Sequence, residues 1–123
     1  MPQLYRVILP VDDLEKAQRF YSSILGITGS RVSPERHYFD CEGTILACYD
    51  PLMYKEKETF SSNPENIYIA VDNLQSSYEK CVNAGAKITA DIQSYPWGET
   101  SFYFDDPFGN QMCFVDRETM FVG

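Results

Sequence analysis

The chain reads as an α+β protein built from two βαβββ repeats, with one helix laid on a face of each set of strands. Three observations predict this. Val11-Asp12-Asp13-Leu14 returns sixty residues later as Val71-Asp72-Asn73-Leu74. Each copy follows an alternating stretch and precedes apolar residues at helical spacing. The second repeat then closes on a hairpin, residues 101–116, whose two arms alternate on either side of a tight turn.

Residues Leu4 to Val11 form the first expected strand, with Val7, Leu9 and Val11 on one face and Arg6, Ile8 and Pro10 on the other. Pro10 lacks an N–H and belongs near a strand end. Asp12-Asp13 offers an N-cap. Leu14, Ala17, Phe20, Tyr21 and Ile24 follow at helical spacing, and Gly26 stops the helix. Three short strands are expected over residues 30–49, broken at Ser33-Pro34-Glu35 and Glu42-Gly43. The first unit is therefore 1–49.

Residues 50–64 carry Asp-Pro, Lys-Glu-Lys-Glu and Ser-Ser-Asn-Pro with little periodicity, and read as a connecting loop. The second unit, 65–123, repeats the plan. Ile67, Ile69 and Val71 alternate with Asn66, Tyr68 and Ala70. Asp72-Asn73 caps a helix with Leu74, Ser77, Tyr78, Cys81 and Val82 facing in, ended by Gly85. A strand over about residues 87–90 leads to the hairpin. There Phe102, Phe104, Met112 and Phe114 make an apolar face, opposite Tyr103, Gln111 and Cys113.

The chain has 123 residues, 44% of them hydrophobic, enough for a real core in one small domain. No stretch approaches the roughly 18 apolar residues of a membrane-spanning helix. The N-terminus lacks a leader's basic-then-apolar pattern, so a cytoplasmic protein without a membrane partner is expected. A net charge of −8 with no basic stripe argues against nucleic acid. It suits solubility, and is compatible with a cationic small ligand. Cys41, Cys48, Cys81 and Cys113 form no Cys-x-x-Cys pair, and His37 is the only histidine. Free, mostly buried thiols are expected rather than a zinc site.

The pattern resembles the vicinal oxygen chelate superfamily, which includes glyoxalase I, bleomycin-resistance proteins and extradiol dioxygenases. The residues that carry it are Val11-Asp12-Asp13-Leu14 with Phe20-Tyr21 and Leu25-Gly26, then Val71-Asp72-Asn73-Leu74 with Ala84-Gly85-Ala86. Pro96-Trp97-Gly98 and Asp106-Pro107-Phe108-Gly109-Asn110 complete it. The resemblance implies a curved mixed sheet around a cavity, with the helices on its outer face. It also implies four inward positions that hold a divalent ion in metal-using relatives. By motif spacing these fall on Arg6, Ala47, Asn66 and Cys113, or on Cys48 in place of Ala47 with a one-residue slip.

That set departs from the family's His, Gln and Glu. Arginine stays protonated and does not coordinate. Alanine has no donor atom, asparagine is a weak neutral ligand, and a lone thiolate prefers soft metals. The expectation is no metal and no cofactor. The alternating faces would line the cavity with Arg6, Ile8, Ala47, Tyr49, Asn66, Tyr68, Tyr103, Gln111 and Cys113, with Trp97 over its mouth. A guanidinium among aromatics suits a small-molecule ligand that is aromatic, cationic or carboxylate-bearing. Arg6 reads equally as the partner of an acidic residue such as Glu65. Trp97 reads as a packing anchor or a stacking platform. Cys113 lacks a neighbouring base and reads as a bystander thiol.

Three functions stay open at this point. They are a metal-free small-molecule binder of resistance type, an enzyme (lyase, isomerase or dioxygenase-like) with an atypical metal site, and an interaction module with a filled cavity. A homodimer is expected, side by side or exchanging halves.

Overall fold

The computed structural model describes residues 1–55 and 58–123. The run Lys-Glu-Lys-Glu in the expected connecting loop includes Glu56 and Lys57, which lie outside the described residues. The chain divides into two units, Met1–Ser62 and Asn63–Gly123.

The first unit holds β1 (Arg6–Pro10), α1 (Leu14–Leu25), β2 (Ser30–Ser33), β3 (Arg36–Cys41) and β4 (Thr44–Tyr49). Its sheet runs β1-β4-β3-β2, with β1 parallel to β4 and the other pairs antiparallel. The second unit holds β5 (Ile67–Val71), α2 (Leu74–Asn83), β6 (Lys87–Ser94), β7 (Thr100–Asp105) and β8 (Gln111–Asp116). Its sheet has the same plan, β5-β8-β7-β6, with β5 parallel to β8. The βαβββ repeat is therefore present twice, as two four-stranded mixed sheets with one helix each. A 3₁₀ turn, Arg117–Thr119, follows β8.

The caps fall where the sequence places them. The Asp13 side chain accepts the Lys16 N–H, and Gly26 ends α1 in the left-handed region at φ 74°. Leu14, Ala17, Phe20, Tyr21 and Ile24 are all buried, and α1 packs on β3 and β4. In the second unit Asn73 accepts the Ser76 N–H, and α2 buries Leu74, Ser77 and Cys81 against β8. Val82, expected to face inward, is exposed instead. At 3.6 residues per turn it lies about 80° round the helix from Leu74, off the stripe that Leu74 and Cys81 define.

Strand β6 runs on to Ser94, four residues past the expected end. It is the edge strand of its sheet, so Asp91, Gln93 and Ser94 stay solvated, and register shifts break its pairing with β7. The core of the second unit is the apolar hairpin face: Phe102, Phe104, Met112 and Phe114 are fully buried. Phe114 meets Phe102 and Phe104 edge-on, with ring centroids 5.7 and 5.1 Å apart.

The turn between β7 and β8 is tied by Asp106. Its Oδ1 accepts the N–H groups of Phe108 and Asn110, and its Oδ2 accepts Asn110 Nδ2 at 3.0 Å. Asn110 Oδ1 in turn accepts the N–H of Asn63 at 2.8 Å. Among the described residues no helix is long and apolar enough to cross a membrane.

Candidate functional site

Each sheet has one face packed on its helix and one face turned away. In the first unit the strand registers place side chains of the second face in three rows. Arg6, Ile45 and Asp40 form one row; Ile8, Ala47 and Tyr38 the next; Pro10, Tyr49 and Arg36 the third. Arg6 and Ile8 are exposed, whereas Ala47 and Tyr49 are buried. Arg6 Nη1 donates to Tyr38 Oη at 2.8 Å, and its guanidinium lies over the Tyr5 and Tyr38 rings. Arg36 stacks on Tyr49, 4.5 Å from the ring centroid. Among the described residues no carboxylate pairs with Arg6.

Cys48 points to the helix face, beside His37 in the register, so Ala47 shares the Arg6 face. His37 is buried. Its Nε2 donates to the Thr28 carbonyl at 2.8 Å, and Nδ1 accepts Arg31 Nε–H at 3.3 Å, a tautomer assigned from these partners. The histidine is thus held as a packing element.

In the second unit the corresponding face joins Tyr68, Cys113 and Tyr103 in one row across β5, β8 and β7. The Tyr68 and Tyr103 hydroxyls are 3.4 Å apart and their rings meet edge-on. Tyr95 meets Tyr103 edge-on and stacks flat on Trp97, with centroids 4.7 Å apart and planes inclined by 16°. Trp97 Nε1 donates to Glu99, and Gln93 Nε2 to Tyr95 Oη. Trp97 keeps about 61% of its surface exposed, so it is not buried in the core. Asn66 is half-buried just before β5, and Gln111 is exposed at the start of β8.

Sequence reasoning missed Tyr5, Arg36 and Tyr38 in the first unit and Tyr95 in the second. Arg36 and Tyr38 carried a usable signal, since they alternate with His37 and Phe39 and so fall on the face opposite the core.

Electrostatics argue against nucleophilic chemistry here. Burial pushes the Cys113 thiol up, outweighing the Ser101 and Tyr103 hydroxyls that would stabilise a thiolate. Burial and the Tyr68 hydrogen bond also hold Tyr103 above the usual phenol range. Cys81, buried under α2, is pushed from its ordinary value near 9 to about 12 by desolvation. A thiol raised in the fold stabilises the fold while it stays neutral. That contribution is complete below pH 9 and is lost as pH rises toward 12. Stability measured by denaturant is therefore expected to fall across that window, and to fall less steeply in Cys81→Ala. Native protein is expected to expose one thiol to Ellman's reagent, the half-buried Cys41, against four after denaturation.

The comparisons with known proteins agree with this architecture. The model of the Glyoxalase/Bleomycin resistance protein/Dioxygenase superfamily matches residues 3–114. This chain belongs to that superfamily. A glyoxalase-related enzyme from Fulvimarina pelagi is 21% identical with a TM-score of 0.80, covering 100% of this chain and 94% of its own. A glyoxalase/bleomycin resistance protein/dioxygenase from Nocardioides is 24% identical with a TM-score of 0.70, covering 94% and 83%. A superfamily member from Sphaerobacter thermophilus is 23% identical with a TM-score of 0.72, covering 95% and 98%. At these identities the likeness is one of fold. No curated protein matches the chain.

Within the superfamily the decisive comparison is the donor set. The positions that motif spacing assigns to the family's divalent ion carry, in this chain, a guanidinium, a methyl, a carboxamide and a buried thiol whose pKa burial raises. Among the described residues no three His, Cys, Asp or Glu side chains cluster closely enough to hold an ion. These residues do not fit the family's metal.

Proposed function

We propose that this superfamily member binds a small organic molecule through the side chains of its open sheet faces, with no divalent ion at the four family positions. What supports this reading is that the four positions motif spacing assigns to the family's metal carry Arg6, Ala47, Asn66 and Cys113. The chemistry left behind is recognition chemistry: guanidinium on tyrosine in the first unit, and in the second a half-buried Tyr95 stacked on an exposed Trp97.

Thermal melting with and without Mn²⁺, Co²⁺, Ni²⁺ or Zn²⁺ tests the metal half. The expected result is no specific stabilisation at micromolar ion, and a saturable rise with one of them overturns it. Trp97 is the chain's single tryptophan, so 5-fluorotryptophan labelling gives one ¹⁹F resonance to test the ligand half. A planar probe such as quinoline is expected to shift that resonance saturably, and Tyr95→Ala is expected to weaken the response about tenfold, the stacking contribution of one aromatic pair. The same reading includes a homodimer, supported by the exposed apolar Leu4, Tyr5 and Ile8 around the start of β1. A monomer in sedimentation velocity at micromolar concentration removes that part.

A further inference from the structure

The first unit carries a groove beside the Arg6–Tyr38 pair. It has a volume of about 960 Å³ and is lined by the end of α1, the loop into β2 and side chains of β2, β3 and β4. Ile27, Val32, Ile45 and the Tyr38 ring supply its apolar lining. Ile27 and Val32 are exposed there, an arrangement that costs free energy in water unless something covers them. Asp40 also lines the groove, with Oδ1 already accepting the Gly43 N–H at 2.8 Å.

The polar end of the groove is defined by Tyr38. Its hydroxyl oxygen accepts Arg6 Nη1–H at 2.8 Å, which leaves its own proton free to be donated. Arg6 has no carboxylate partner among the described residues, and its fork has further N–H groups to give. Tyr38 lines the groove and the Arg6 guanidinium lies against it, so a carboxylate at this end would meet a phenol O–H with a guanidinium beside it. Asp40, on the same face and on the same strand as Tyr38, disfavours a second negative group.

We infer that this groove takes a monocarboxylate with an apolar body, its carboxylate on Arg6 and Tyr38 and its body along Ile27, Val32 and Ile45. The inference rests on the small-molecule reading above and names a ligand class for it. A ten-carbon body would fill less than a third of the groove, so decanoate serves as a probe of the ligand class and not of its size.

Isothermal titration with decanoate, decan-1-ol and decylammonium, each below micelle formation, tests it on unmodified protein. Decanoate is expected to bind at least tenfold more tightly than either of the others. Arg6→Gln is expected to remove that preference, because it deletes the positive charge and the charge-assisted bond while leaving a polar side chain. Val32→Glu is expected to weaken decanoate by a similar factor, through a lost apolar wall and an added like charge. Both positions are exposed, and far-UV circular dichroism checks that each variant folds.

Equal binding of decanoate and decylammonium overturns the inference, as does an Arg6→Gln protein that keeps the preference. If decanoate fails while a planar probe still moves the Trp97 resonance, the groove assignment falls and the binding reading stands. If neither acts, both fall.

Discussion

Replacing Gly29 by alanine is expected to destabilise the protein by about 3 kcal/mol and to lower its melting temperature by roughly 10 °C. Gly29 sits at φ 67°, where an L side chain costs about 1–2 kcal/mol. A Cβ there would also lie 2.5 Å from the Tyr38 carbonyl oxygen, 2.8 Å from His37 Nε2 and 2.8 Å from Phe39 Cδ1. None of these can retreat. The Tyr38 backbone pairs with Ser30 in the β2–β3 ladder, His37 is held at both ring nitrogens, and Phe39 is fully buried. Overpacking of this kind adds about 1–3 kcal/mol. Gly26 provides the control: its φ is 74°, but nothing lies within 4 Å of its Cβ direction. Gly26→Ala should therefore show only the backbone penalty. Equal losses in the two variants would refute the clash.

The second large effect is expected at Asp106. This carboxylate is buried and satisfies the N–H groups of Phe108 and Asn110 together with the Asn110 side-chain amide. Asp106→Ala leaves these donors facing a dry interior. At about 1–3 kcal/mol for each unsatisfied buried group, a loss of about 3 kcal/mol or more is expected in urea unfolding. Asp106→Asn keeps Oδ1 as an acceptor but turns an N–H₂ toward Asn110 Nδ2, so its loss should be smaller. Because Asn110 Oδ1 also holds the Asn63 N–H, the alanine variant should speed hydrogen exchange at Asn63 as well as in the turn. An unchanged Asn63 amide would show that the two bonds are independent.

Most of the fold was legible because its signals are local. The caps at Asp13 and Asn73, the stop at Gly26 and the apolar stripe of α1 each depend on a few neighbouring residues, and all were readable. The end of β6 was not, since an edge strand tolerates polar residues and register shifts that erase the period of two. Val82 was misread because an apolar residue at the border of a helical stripe packs or not according to what lies opposite.

The site was legible at positions tied to a motif. Counting from Asp13 and Gly109 finds Arg6 and Cys113, but no motif marks Tyr38 or Tyr95. Their surroundings come from neighbours in space: Tyr38 Oη accepts an Arg6 N–H across β4, and Tyr95 has the Trp97 ring stacked on it. Register of this kind depends on bulges and turn lengths, and a single sequence states it only indirectly.

Native mass spectrometry of protein purified without chelator or nickel resin tests the central claim most directly. The account predicts a mass free of divalent metal, accompanied in part of the population by a retained organic molecule. One divalent ion per chain, surviving desalting, would contradict it and would return the quartet of Arg6, Ala47, Asn66 and Cys113 to question.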